Sequence, residues 1–350
     1  MKPFAARIEP QFVPRIWGAR TLAPLFPEKK NLAEPIGEVW LTGNDCRFAS
    51  GPWAGRTLGE AWREMPPEWA GSRLDTKNPF PLLVKFLFPE EILSVQVHPD
   101  DAYARQHEAA QGGTGKTEMW YAIEACEGAE VLVGLKAGTT AEIFRKAIAE
   151  GTAENCLRRI PMFAGEAVYV PAGTMHTIGP GLVLCEIQKN SDITYRVYDY
   201  NRKDAAGKAR PLHVEKALAV ANFGEQVGGK LAPCSVGRST LTETFLAACR
   251  YFATERWDFS ARVGAVTSRE RFELLIILEG NGEIECGHER LEYAAAQVWM
   301  MPAALGAFQL TPRGHTSLLR TYVPDIMQDF VARLQEQRVA EEQWSRIVFP

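Results

Sequence analysis

The segment Leu93-Ser94-Val95-Gln96-Val97-His98-Pro99-Asp100-Asp101 alternates apolar and polar residues, which confines it to an extended strand with two unlike faces. Leu93, Val95 and Val97 fall on the side that packs into a core. Ser94, Gln96 and His98 fall on the other, and a hydroxyl, an amide and an imidazole on one face imply that this face opens on a cavity. A chain organised around such a strand is expected to be mainly β.

Other segments repeat the pattern. Residues 102–115 are polar and end in Gly112-Gly113-Thr114-Gly115, which reads as a flexible loop leading into the strand Lys116–Ile123, where Lys116, Glu118 and Trp120 share a face. Pro81–Phe88 is an apolar run interrupted by Lys85, the mark of a strand buried on both faces. Strands are also expected over 37–41, 165–176, 182–187 and 193–198. Thr57 and Glu60 have capping-box spacing before a short helix that Pro66-Pro67 stops, and Thr139-Thr140-Ala141-Glu142 opens a helical insert covering 139–160, with a second short helix near 154–160. Residues 201–211 are charged and predict a loop.

From about residue 231 short strands recur, among them 272–279, 282–286 and 297–301, and predict a second sandwich or barrel. A terminal helix follows Pro324, with Ile326, Met327, Phe330, Val331 and Leu334 on one face. Ala167-Val168-Tyr169-Val170-Pro171-Ala172 echoes Val298-Trp299-Met300-Met301-Pro302-Ala303. Aligned on the prolines, His176 meets Ala307, so two copies of one β-unit would share a single chemical centre.

At 350 residues the chain exceeds what one core usually organises, so two domains are expected, although large all-β units can reach this length singly; the short strands from about residue 231 place the division there. Its net charge of -4 offers no footprint for nucleic acid and no polybasic membrane patch, so a small molecule is the expected partner. Seven cysteines without a Cys-x-x-Cys pair suit reduced thiols. With no signal-like or membrane-length apolar run, a soluble cytoplasmic protein is expected, monomer or homodimer being left open.

Gln96, His98, Glu118 and His176 lie on three expected strands, and such oxygen and imidazole donors suit Zn²⁺ or another divalent transition metal. A lone strand histidine is more often an ordinary hydrogen-bonded residue. Here, two of only six histidines sit in strand motifs with polar neighbours on the same face.

Ser94-Val95-Gln96-Val97-His98-Pro99-Asp100, Gly115-Lys116-Thr117-Glu118-Met119-Trp120-Tyr121 and Pro171-Ala172-Gly173-Thr174-Met175-His176-Thr177-Ile178-Gly179 together resemble the signature segments of type I mannose-6-phosphate isomerases. The resemblance covers most of residues 1–225. It implies a mainly β fold: a catalytic cupin (jelly-roll) β-barrel over 1–230 carrying the helical insert, then a smaller cupin-like domain over 231–350 with a C-terminal helix. It further implies one zinc per chain held by Gln96, His98, Glu118 and His176, an active-site arginine at Arg196, and substrate-cavity positions at Lys116 and Ser94. Ala307 would leave the second unit without a metal site.

The implied reaction moves a proton between C1 and C2 of a hexose 6-phosphate through an enediol. A metal and Arg196 would meet the charge that develops on the oxygens. Glu186 and Asp192 are the candidates for the proton-transfer base, and the sequence does not choose between them. Lys85, Lys116 and Ser94 are candidates for holding the substrate and its phosphate, whereas Arg202 reads as a solvated loop residue.

Other readings compete. Ala110–Thr117 loosely fits a phosphate-binding loop, but lacks a buried strand before it and a helix after. A sugar- or metal-binding cupin without turnover, another cupin sugar-phosphate isomerase and a metal-dependent dioxygenase remain as alternatives, the last disfavoured by the fuller ligand set.

Overall fold

The computed structural model of the protein describes residues 2–203, 207–225 and 227–350. Alternating strands build an N-terminal barrel from two antiparallel sheets. The larger has seven strands, in spatial order Gly229–Lys230, Ala167–Val170, Glu118–Ala125, Leu182–Lys189, Leu82–Leu87, Ile36–Trp40 and Gln11–Ala19. The smaller has five, in the order Tyr195–Tyr198, Val95–Val97, His176–Ile178, Glu130–Leu135 and Leu157–Pro161. Leu87, Trp120, Val168 and Leu184 of the large sheet pack with Val131, Val133 and Ile178 of the small one.

The outer face of the seven-stranded sheet is buried as well. Val84, Phe86, Met119, Tyr121, Cys185 and Ile187 join Phe245, Ala247, Leu274, Ile276 and Leu319 in the largest apolar cluster. Buried on both sides, Leu82–Leu87 reads as the near-continuous apolar run expected of it.

Those C-terminal partners belong to an eight-stranded sheet that backs onto the first barrel and closes with a four-stranded sheet over Trp257, Leu275, Ile277, Tyr293 and Leu310. The fold is thus mainly β, as expected. Ala6–Ile8 pairs with Val298–Met301 and so adds an N-terminal strand to the C-terminal sheet.

The short echo around Pro171 and Pro302 belongs to a strand-for-strand correspondence between the two large sheets. Glu186 lies opposite Lys85 and Trp120; in the second sheet Arg320 lies opposite Glu255 and Leu275. Glu118 faces Val170 as Glu273 faces Met301, and Glu38 faces Leu87 as Glu243 faces Trp257. Where the first barrel sets Glu38, Lys85, Glu118 and Glu186, the second therefore sets Glu243, Glu255, Glu273 and Arg320.

In the second barrel these positions close into an ion network. Glu273 pairs with Arg271 and Arg320, while Arg333 reaches in from the C-terminal helical segment to Glu243 and Glu255. Ala307, which starts its strand as His176 starts its own, is exposed.

Several local expectations need correction. Residues 102–115 are not an open loop. They contain a helix, Asp101–His107, capped by the Asp100 side chain, which accepts the Tyr103 N–H at 2.8 Å, and a 3-10 turn, Ala109–Gln111. The segment has too few apolar residues to show a helical period, so only its cap marks it. Nor is Gly115 loose: Lys116 N–H donates to the Pro99 carbonyl at 3.0 Å, and a Cβ on Gly115 would lie 2.4 Å from the Asp100 backbone. A strand, not a helix, follows at Glu118, which removes the phosphate-loop reading.

Thr140 rather than Thr139 caps the insert helix Ala141–Ala149. The second insert helix is only a 3-10 turn, Ala153–Cys156, because Leu157–Pro161 is drawn into pairing with Glu130–Leu135. Pro67 does more than stop a helix: it begins another, Pro67–Ala70, at the position where its missing N–H costs nothing. The helix Val214–Val220 was not anticipated.

The predicted terminal helix is a π-helical stretch, Ile326–Val331, continued by Ala332–Glu336, and the chain ends instead in a strand, Val348–Phe349, parallel to Leu241–Cys249. Within the expected loop 201–211, Lys203 and Ala209 form a bridge, and 204–206 lie outside the described residues. No described helix is long and apolar enough to cross a membrane.

Candidate active site

Val95–Val97 is the central strand of the site because of what flanks it. Gln96 has His176 opposite on one neighbouring strand and Arg196 opposite on the other. Directly opposed residues of antiparallel strands share a face, so pairing alone brings these three together.

Glu118 arrives from the facing sheet. Its Oε1 is 3.4 Å from His176 Nε2 and its Oε2 3.7 Å from His98 Nε2, and ligand atoms of the three residues lie within 4.8 Å of one another. Both rings are oriented from behind: His98 Nδ1 donates to the Ile193 carbonyl and His176 Nδ1 to the Thr174 carbonyl, each at 2.8 Å. A carbonyl only accepts, so each Nδ1 carries the proton and each Nε2 presents its lone pair to the site.

Burial disfavours charge on both rings. It takes His98 well below its ordinary pKa, with the Lys116 charge adding to the effect, and brings His176 to about 4. The buried His98 Nε2 has no hydrogen-bond partner among the described residues. Two neutral imidazoles beside a carboxylate fit a divalent metal. Gln96 Nε2 stands 3.2 Å from His176 Nε2, and turning this amide by half a turn would offer its oxygen as a fourth donor.

A cavity of about 330 Å³ opens in front of these residues and is lined by Gln96, Glu118, Ser94, Lys85, Lys116, Glu186, Asp192 and Arg196. The structure thus gathers the residues singled out in the sequence, with the two histidines in contact with Glu118. Arg202 stays outside, bound to Asp199 at 2.7 Å and the Ile92 carbonyl at 2.5 Å.

The charges inside are matched unevenly. Lys116 Nζ is 2.7 Å from Glu118 and 3.6 Å from Glu186; burial opposes its charge, yet the two carboxylates outweigh it and raise its pKa. Burial raises the pKa of Glu186, against the pull of Lys116. Lys85 stands among Glu186, Glu38 and Asp192 at 3.7–4.0 Å, with the Trp40 ring 4.9 Å away. The two base candidates differ in setting: the Glu186 side chain is buried, whereas that of Asp192 is 68% exposed.

Arg196 is half-buried, and its Nε has no hydrogen-bond partner among the described residues. Burial lowers its pKa, and repulsion from Arg210 and Arg15 adds to this.

Sequence reasoning missed Arg15, Trp17, Glu38, Thr194 and Arg210, all of which line the cavity. Burial would raise the Glu38 pKa, but Lys85 and Arg15 outweigh it and hold the group at about 2. Arg15 and Arg210 come from irregular or charged segments with no period to read; Glu38 gave only the weak signal of an acid inside the expected strand 37–41.

Comparison with known proteins places the chain among sugar-phosphate isomerases of one family. Residues 6–130 match the catalytic domain of phosphomannose isomerase type I, and residues 241–323 the cupin domain of mannose-6-phosphate isomerase. A mannose-6-phosphate isomerase of Streptococcus mutans is 35% identical over 306 residues, spanning 86% of this chain and 93% of the relative. The crystal structure of mannose 6-phosphate isomerase from Bacillus subtilis superposes with a TM-score of 0.82 at 32% identity, covering 91% of this chain and 99% of the other. A zinc-bound mannose 6-phosphate isomerase shares the fold, with a TM-score of 0.73 at 16% identity over 91% of this chain and 99% of its own. On this similarity, and with the signature segments assembled around one cavity, the chain belongs to the type I phosphomannose isomerase family.

Proposed function

We propose that the protein interconverts mannose 6-phosphate and fructose 6-phosphate by proton transfer between C1 and C2 through an enediol. The observation that carries this reading is one cavity joining the His98–Glu118–His176 group to Lys116, Arg196 and the buried Glu186. His98, Glu118 and His176, with Gln96, would hold a single zinc ion, which when bound supplies Lewis-acid polarisation of substrate oxygens.

The side chains divide the remaining work. Lys116, kept charged by Glu118 and Glu186, is a hydrogen-bond donor to a substrate oxygen and not a base. Arg196 stabilises the enediolate without surrendering its own proton. Glu186, whose buried carboxyl has a raised pKa, takes the proton from one carbon and returns it to the other. Asp192, exposed at the rim, orients substrate, and Ser94 and Lys85 contact it from the cavity wall. A module that only binds a sugar has no evident use for an arginine whose Nε has no partner among the described residues, in the same cavity as a proton carrier.

Residues 1–230 would form the catalytic unit, with Ala6–Ile8 lent to the other sheet, and 231–350 a structural unit without a metal site. All seven cysteines are free, in keeping with the cytoplasm as the working compartment.

The test is to incubate metal-analysed protein with mannose 6-phosphate and follow fructose 6-phosphate formation before and after chelation. Turnover should be lost on chelation and return with Zn²⁺; absence of chelator-sensitive turnover would overturn the reading. Arg196→Ala should lower kcat by about 10²–10³-fold, the cost of one donor to a developing oxyanion, while metal content stays at the parent level. Parent-level activity in that variant would exclude the role given to Arg196.

A further inference from the structure

Two guanidiniums in the cavity have no part in the isomerisation step. Arg15 and Arg210 line it together with Arg196 and reach it by separate routes. In the pairing of Gln11–Ala19 with Ile36–Trp40, both Pro14 and Ala19 match Ile36, so residues 15–18 arch out of the ladder as a bulge. Bulges re-aim side chains, and this one turns Arg15 and Trp17 toward the cavity. Gly37 leaves the room: a Cβ there would come within 2.6 Å of Arg15 Cβ and 2.7 Å of the Trp17 ring. Glu38 then fixes Arg15 through Nη2 at 2.9 Å.

Arg210 is held by Asp199, its Nε at 2.7 Å and its Nη2 at 2.5 Å. Asp199 also receives Arg202 at 2.7 Å, so one carboxylate serves two cations. A hydrogen bond from His213 N–H to the Arg196 carbonyl at 2.7 Å ties this segment to the Arg196 strand.

Glu38 and Asp199 neutralise and fix Arg15 and Arg210 but take up only some of the five N–H donors of each guanidinium. Arg196 Nε has no partner among the described residues, so three guanidiniums with donors to spare line one cavity and suit an anion with several acceptor oxygens.

We propose that Arg15 and Arg210 flank Arg196 to seat the phosphate of the sugar phosphate, and thereby select phosphorylated over unphosphorylated hexose. This rests on the isomerase reading. The bulge and Gly37 are then devices for specificity, since they position Arg15 from outside the strands that carry the metal-site residues.

The test uses the metal-loaded protein, Arg15→Gln, Arg210→Gln and the corresponding lysine variants, each checked for metal content and folded-state circular dichroism. Each Gln variant should raise KM for mannose 6-phosphate by about 10–100-fold, the range for losing a hydrogen bond to a charged group, with a smaller change in kcat. Calorimetry should show inorganic phosphate bound more weakly by a similar factor, with the lysine variants in between. Turnover of unphosphorylated mannose should change little, so that discrimination between the two sugars shrinks.

Folded, metal-replete Gln variants with parental KM and phosphate affinity would overturn the proposal, as would failure of the parent protein to bind phosphate. A parent that binds phosphate through these arginines but turns over no mannose 6-phosphate would sink the isomerase reading and leave the anion seat standing.

Discussion

His176→Ala is expected to deplete the protein of bound metal and to cut mannose 6-phosphate turnover by well over a hundredfold. The magnitude follows from comparison: disturbing a group that merely orients a metal ligand costs about 10–100-fold, and His176 would be a ligand itself. Its Nε2 faces Glu118 at 3.4 Å while its Nδ1 is spent on the Thr174 carbonyl, so no rotation of a neighbour replaces the donor. His98→Gln offers a milder version that retains a polar side chain in the same buried position.

Metal content by atomic emission, measured with turnover and with melting temperature in the presence and absence of chelator, separates loss of metal from loss of fold. A metal that binds the folded state alone stabilises it, so the parent should melt at lower temperature once chelated, whereas His176→Ala should be indifferent to chelator. Stoichiometric metal and full turnover in His176→Ala would refute the assignment.

The second large effect is expected far from the cavity. Arg333→Met should lower unfolding stability by about 3 kcal/mol, read from the urea midpoint, at the lower end of the usual cost of breaking a buried ion pair. Arg333 bridges Glu243 and Glu255, and after its loss Glu255 keeps Arg320 at 3.4 Å and the Tyr322 hydroxyl at 2.6 Å, which limits the damage.

Acid should expose the same network. Burial would raise the Glu255 pKa, yet Arg333 and Arg320 outweigh it and hold it at about 2. A depressed carboxyl contributes stability that is fully present above its unfolded pKa and is lost as pH falls toward the folded value. The parent should therefore lose this contribution between about pH 4.5 and 2, and Arg333→Met should lose less over that window. Equal stability of the two proteins at neutral pH would show that the network does not hold the helical segment.

The residues that gather as a candidate metal site stood out in the sequence because their signal is local. The alternation of Ser94, Gln96 and His98 is plain in the sequence, although only Gln96 lies within the short strand Val95–Val97 and the other two flank it, and Glu118 sits in a segment whose period is equally plain. Helix boundaries were less legible where the determining contact is a single cap: Asp100 holds Asp101–His107 although that stretch has no apolar stripe, and Thr140 outcompetes Thr139 by one position. The π-helical start of the last helical segment has no counterpart in the spacing of Ile326, Met327 and Phe330.

The second barrel shows the limit from the other side. Its resemblance to the first was visible only around Pro171 and Pro302. The correspondence of Lys85 with Glu255 and of Glu186 with Arg320 exchanges opposite charges, which no comparison of residue types would align.

What the sequence by itself determined is the set of strands, their two-faced character and the donors they carry, because period two and side-chain chemistry are properties of a segment and its own neighbours. What only the tertiary structure decided is which of those donors share a cavity and what else enters it. Glu118 meets the two histidines across the barrel, Glu186 is buried between Lys85 and Lys116 while Asp192 stays at the rim, and Arg15 and Arg210 arrive through a bulge and a long connection. Distance across a fold depends on sheet register and closure, which are set by packing among residues far apart in the chain, and no local pattern encodes them.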